Sequence, residues 1–183
     1  MATATTEKKK YTYADYLKTP DGERFELIEG ELLMTPSPVT RHQRISRKFE
    51  FMLEKYVTEN DLGEIFYAPF DVYLDNENVV QPDLLFVSKE RLDIIGEKNI
   101  LGAPDLVIEI ISESTAYRDL VQKKKLYSRF GVKEYWIVIP EESSTEVYTL
   151  KGNAFVLHKS YGKNNTLQSL LLQKLKIELK KIF

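Results

Sequence analysis

Apolar residues recur along this chain with two different periods, and the switches between them divide it into elements. Ile45, Phe49, Met52, Leu53 and Tyr56 follow one another at intervals of four, three, one and three, the spacing of a single helical face. They predict a helix over about residues 39–60, ended by Asn60-Asp-Leu-Gly63. Ala116, Leu120, Lys123, Tyr127 and Phe130 keep a four-three-four-three rhythm and predict a second helix over 116–130, with Thr115 as its cap and Gly131 as its C-terminal glycine. A short helix is expected over 11–18, capped by Thr12.

The remaining apolar runs are too short for helices and read as strands. RFELIEGELLM is a pair of strands turning at Glu29-Gly30, and GEIFYAPFDVYL is one strand or two. VVQPDLLFV, PDLVIEII and EYWIVIP each read as one strand, and 75–78 as a turn. EVYTL and AFVLHKS flank Lys151-Gly-Asn153 as a hairpin, and the tail LKIELKKIF alternates as a last strand. Residues 88–102 read as a polar loop with a helical turn, and 112–115 as a second loop. The expectation is an α/β (α+β) fold with a central mixed β-sheet and a helix against each side. N-terminal strands and a C-terminal hairpin complete it.

Length and composition narrow the possibilities. At 183 residues, 43% of them hydrophobic and 30% charged, the chain suits one globular domain over 11–183 behind a disordered segment, 1–10. The net charge of −2 is unlike that of a broadly basic protein that coats nucleic acid, so any such contact has to come from a local patch. Arg41, Arg44, Arg47 and Lys48, and Lys123 to Lys125, are the clusters that could supply one, or could be solvated faces. The absence of cysteine excludes disulfides, thiolate zinc sites and a cysteine nucleophile, and two histidines exclude a histidine-rich metal site. No apolar run approaches the ~18 residues that span a membrane, and no apolar stretch follows MATATTEKKK, so a cytoplasmic protein is expected.

Three residues stand out against this pattern. Glu109 lies within DLVIEII, where an isolated carboxylate costs several kcal/mol unless paired or bound to a cation. It is either a structural ion-pair partner or a site residue. Asp83 opens the strand after Pro82; alone it is a turn residue, but beside Glu109 it makes an oxygen pair suited to Mg²⁺ or Mn²⁺. Lys123 interrupts the apolar stripe of the second helix. It either snorkels to solvent or delivers an amine to the two acids, with Asp119 one turn earlier to orient it. His42 shares the inward face of the first helix and is either a core histidine or a site residue. Glu31 could supply a third acid, in competition with Glu26 and Glu29. There is no GxSxG motif and no phosphate-binding glycine loop. A glycosidase pair is disfavoured by a single tryptophan and a lysine aimed at the acids.

Pro82-Asp83, then Glu109, then a lysine resembles the PD-(D/E)xK nuclease superfamily. FELIEGELLM, TRHQRI, QPDLLFV, APDLVIEIISEST, the spacing of Asp119, Lys123 and Tyr127, and GVKEYWIVIP are similar to one bacterial family within it, the Uma-type endonucleases. That resemblance implies a restriction-endonuclease-like core. It also implies a divalent metal on Asp83, Glu109 and the carbonyl of Ile110, with Glu31 and His42 nearby. Lysine is displaced from its usual place two residues after the acid, which here is Ile111, to Lys123; Ile139 also replaces a common aspartate. The implied activity is metal-dependent hydrolysis of DNA phosphodiester bonds, by a homodimer if both strands are cut. The rivals are an inactive nucleic-acid-binding or regulatory module on the same fold, and a metal-free acid-catalysed hydrolase.

Overall fold

The computed structural model describes residues 9–20, 22–112 and 116–183. Residues 1–8 of the expected N-terminal tail, and Thr115, lie outside the described residues. In chain order the elements are α1 (Tyr13–Tyr16), β1 (Phe25–Ile28), β2 (Glu31–Met34), α2 (Thr40–Glu59), β3 (Gly63–Tyr67), β4 (Asp71–Asp75), β5 (Asn78–Val80), β6 (Leu84–Ser88), β7 (Asn99–Leu101) and β8 (Leu106–Ile110). A π-helical segment, Arg118–Lys123, then runs straight into α3 (Lys124–Phe130). There follow β9 (Glu134–Ile139), β10 (Ser144–Lys151), β11 (Ala154–Gly162), β12 (Thr166–Gln168) and β13 (Lys176–Glu178).

Six strands form a mixed sheet in the order β11-β10-β9-β8-β6-β3. Within it β8 and β9 are parallel and the other neighbours antiparallel. Strands covered on both faces need apolar residues at nearly every position, and β6, β8 and β9 are buried along almost their whole length. Their alternation sends Leu84, Phe86, Ile108, Ile110 and Trp136 to one face, against Ile45, Phe49, Leu53 and Val57 of α2. Leu85, Val87, Val107, Tyr135 and Ile137 go to the other, against Leu126 and Tyr127 of α3.

That second face carries a further layer, a five-stranded sheet in the order β2-β1-β5-β4-β7, which contributes Ile28, Val72, Val80 and Ile100 to the same core. One single-strand reading, that of VVQPDLLFV, is therefore corrected, and the one-or-two reading of GEIFYAPFDVYL resolves to two. GEIFYAPFDVYL divides into β3 and β4, and VVQPDLLFV into β5 and β6, each pair split between the two sheets. Proline marks both breaks, at Pro69 and Pro82, because it has no N–H for a sheet ladder. The polar stretch 88–102 also contains a strand, β7, and the last alternating segment turns into a 3₁₀ helix at Leu179–Lys181 after β13.

The β1–β2 turn is the expected one: Glu29 and Gly30 have φ of 52° and 80°, the left-handed pair that a two-residue hairpin of this twist requires. Gly131, at φ 87°, closes α3 as predicted. The stripe of the second helix is corrected. A π turn holds more residues than an α turn, so Asp119 turns inward beside Lys123, while Leu120 is 38% exposed. The chain end is tied to the central sheet by buried Glu134, whose carboxylate accepts bonds from Ser169 Oγ and the N–H groups of Leu170 and Leu171 at 2.8–2.9 Å.

Candidate active site

Asp83 and Glu109 meet because of where their strands begin and end. Leu84 pairs with Ile108 in the antiparallel β6–β8 ladder, so Asp83, where the chain passes from one sheet to the other, comes abreast of Glu109 near the end of β8. The Ile110 N–H donates to Asp83 Oδ2 at 2.8 Å and fixes that carboxylate at the strand end. His42 reaches the same oxygen from the first turns of α2, with Nε2 at 3.1 Å. A proton on Nε2 makes this a donation to the carboxylate and leaves Nδ1 buried, with no partner among the described residues.

Glu109 alternates with Ile108 and Ile110, so it points away from α2 and towards the π-helical segment. Its Oε1 accepts from Tyr127 Oη at 2.7 Å and from Lys123 Nζ at 3.0 Å. Lys123 Nζ also lies 2.7 Å from Glu26 and 3.3 Å from Asp119. Glu26 is held in turn by Arg118, at 3.1 Å, and by the Gln81 N–H, at 2.9 Å. Arg118 also bonds the Met34 carbonyl, and the Asp119 carbonyl accepts from Tyr135 Oη. The side chains of Glu26, Glu109, Asp119 and Lys123 are each no more than 4% exposed.

Acids crowd this cluster. Among the described residues, Lys123 and Arg118 meet Glu26, Glu109 and Asp119, and the His42 imidazole meets Asp83. Burial pushes the Glu109 carboxyl well above its usual range; Lys123 opposes this, and Asp119, Asp83 and Glu26 add to it. Burial works against charge on Lys123, but Glu109, Glu26 and Asp119 outweigh it and hold the ammonium well above its usual range. Lys123 is thus a fixed cation rather than a base. The Tyr127 hydroxyl is raised by burial and by Glu109, so it remains a donor.

A cleft of about 110 Å³ opens onto these groups, lined also by Pro36, Pro38, Val39 and Arg118. It joins a groove of about 510 Å³ that shares Arg24, Pro38, His42 and Asp83 with it. Asp83 Oδ1 and Glu109 Oε2 accept no hydrogen bond from a described residue. Hard oxygens of this kind suit Mg²⁺ or Mn²⁺. Among the described residues no three acidic or imidazole groups form a ready cage for an ion. An ion held here would take two carboxylates and complete its shell with water, the habit of Mg²⁺.

Of the residues singled out in the sequence, Asp83, Glu109, Ile110, His42, Asp119 and Lys123 all line the cleft. Glu31 does not: it stands opposite Ile28 at the turn end of the hairpin, and Glu26, opposite Leu33, reaches Lys123 instead. The signal for Glu26 was the strand alternation, since it shares a face with Ile28, which enters the core between the two sheets. Gln81 and Arg118 carried no periodic signal, and Tyr127 was legible as a member of the helical stripe and of the spacing it shares with Asp119 and Lys123.

The molecule can now be set beside known proteins. A putative nuclease of the DUF820 group from Anabaena variabilis shares its fold, with a TM-score of 0.77 over 94% of this chain and 97% of that one, at 19% identity. The fold is thus the restriction-endonuclease-like one. An uncharacterized protein of Synechocystis, sll1609, is 24% identical over 144 residues, which cover 77% of this chain and 80% of that protein. The family model of Uma2, described as putative restriction endonuclease, matches residues 12–180. By that match the chain belongs to the Uma2 family, within which the sequence resemblance had set it.

Proposed function

We propose that this protein is a divalent-metal-dependent endonuclease that hydrolyses DNA phosphodiester bonds. Asp83 and Glu109 are its metal-holding carboxylates, with the Ile110 carbonyl at the same strand end. The observation that carries the reading is Glu109: a buried carboxylate on an interior strand, abreast of Asp83 and in contact with the buried ammonium of Lys123. The family description and the fold neighbour point the same way.

A bound Mg²⁺ or Mn²⁺ would lower the pKa of a coordinated water and neutralise charge on the scissile phosphate. The chain's own groups have distinct tasks. Lys123, held charged, stabilises the negative charge that develops on the phosphorane-like transition state. Glu26 and Asp119 position Lys123, Tyr127 orients Glu109, and His42 with the Ile110 N–H orients Asp83. Pro36, Pro38 and Val39 add apolar surface to the lining of the cleft beside the acids.

One observation favours the rival, a binding module without chemistry: Glu109 Oε1 already has two partners within the protein. A single assay separates the two. Supercoiled plasmid and single-stranded DNA are incubated with the protein in Mg²⁺, in Mn²⁺ and in EDTA, beside Glu109→Gln prepared identically. The nuclease reading expects cleavage that needs metal and is lost in Glu109→Gln; nicked against linear plasmid then reports single-strand or paired cutting. Equal cleavage by the two proteins, or cleavage in EDTA, contradicts it.

A further inference from the structure

The groove that leads away from Asp83 has a composition the catalytic reading does not use. Arg24, Arg44 and Arg47 line it, and among the described residues none of the three has an acidic partner. The other arginine and lysines of α2 are engaged elsewhere: Arg41 pairs with Glu141, Lys48 donates to the Ile182 carbonyl and Lys55 pairs with Glu59. Arg44 and Arg47, three residues apart, lie on one side of the helix and are exposed. Three arginines face two acids here, Asp83 itself and Glu50, on a chain whose net charge is −2.

Tyr67 stands in the same groove. It pairs with Leu84 in the β3–β6 ladder, one residue from Asp83, and the next residue, Ala68, donates its N–H to the Asp83 carbonyl at 3.1 Å. Tyr67 is 62% exposed, although tyrosine at a strand position usually lies against a neighbour. An exposed aromatic ring amid arginines is the device by which proteins hold an unpaired base and its phosphates together. The neighbouring cleft, about 110 Å³, has room for a phosphate and a few waters.

We infer that this groove is a track for single-stranded nucleic acid, with a base stacked on Tyr67 and flanking phosphates on Arg24, Arg44 and Arg47. The inference deepens the nuclease reading and rests on it for the direction of the strand: a strand lying in the track passes Asp83 and lowers one phosphate into the cleft. The favoured substrate is then a single strand or an unpaired segment, ahead of intact duplex.

The test is binding without chemistry. The full chain, in EDTA, is titrated against a short labelled oligonucleotide as a single strand, as a blunt duplex and as a single strand with abasic central positions, across a range of salt. The track expects the single strand to bind more tightly than the duplex. It expects Tyr67→Ala to weaken single-strand binding roughly tenfold, with little effect on the abasic strand. Arg44→Ala with Arg47→Ala should lower the slope of log K against log salt by about 1.4. All variants should melt with the wild type, since both sites are exposed. Failure of the wild type to bind, equal or tighter duplex binding, or unchanged binding by the Tyr67 and arginine variants overturns the track. Metal-dependent cleavage with unchanged binding by the variants would remove the track and leave the nuclease. Groove-dependent binding without cleavage would do the reverse.

Discussion

Lys123 is the residue on which the cluster turns. Its ammonium lies within 3.3 Å of three carboxylates, and its side chain is 4% exposed. Removing it would leave Glu26, Glu109 and Asp119 facing one another with Arg118 as the remaining basic contact, at a cost of about 3–5 kcal/mol. Lys123→Met should therefore lose about that much stability in urea unfolding in EDTA. Added Mg²⁺ should restore part of the loss, because a cation can occupy the space between the acids; Lys123→Met as stable as wild type would contradict the role of Lys123 in holding the three acids together. Glu109 and Lys123 were legible in the sequence because each breaks an otherwise apolar pattern; Asp83 was legible as the acid after Pro82 that pairs with Glu109, and His42 by its place on the inward face of the first helix. Glu26 was harder to read, because Glu26, Glu29 and Glu31 lie within six residues and only the sheet register separates them. Arg118 was illegible, because it lies on the segment whose winding departs from 3.6 residues per turn.

The elements explain how these residues are held. Asp105, just before β8, joins three interior strands at one end. Its side chain accepts from the Ser88 N–H at the end of β6 and pairs with Arg91 and with Lys133, the residue before β9, at 2.7–3.0 Å. Burial resists its ionisation, but Lys133, the Ser88 N–H and Arg91 together lower its pKa below the ordinary aspartate value. A depressed carboxyl contributes stability above its unfolded pKa, about 3.9, and that contribution is lost as pH falls through the lower folded value. Asp105→Asn should thus cost about 2 kcal/mol at neutral pH. The gap between variant and wild type should close below about pH 4, as read from urea midpoints against pH. A gap that persists at low pH would show that Asp105 acts by shape rather than charge. The second helix shows where element reading stops. Its extent and its glycine stop were predictable, but periodicity assumes one winding throughout. A π turn is not written in apolar spacing, so Leu120 was placed inside and Asp119 only beside Lys123.

At the scale of the whole molecule, the site exists because two sheets and two helices converge on the ends of β6 and β8. The central mixed sheet with a helix on either face was readable, since interior strands are apolar throughout and helices carry a stripe. The second sheet was not. Its strands are short, and the chain passes between the sheets at Pro69 and Pro82 within runs that read as continuous apolar segments. That crossing is also what places Asp83 at a junction, beside Glu109 and open to the groove. The central claim is that these two carboxylates, brought together from separate strands, hold one divalent cation. It is tested most directly by an equilibrium titration of the protein with Mn²⁺, reading free ion by electron paramagnetic resonance. The account predicts a single site in the wild type that is abolished in both Asp83→Asn and Glu109→Gln. Either no site in the wild type or the same site in both variants would contradict it.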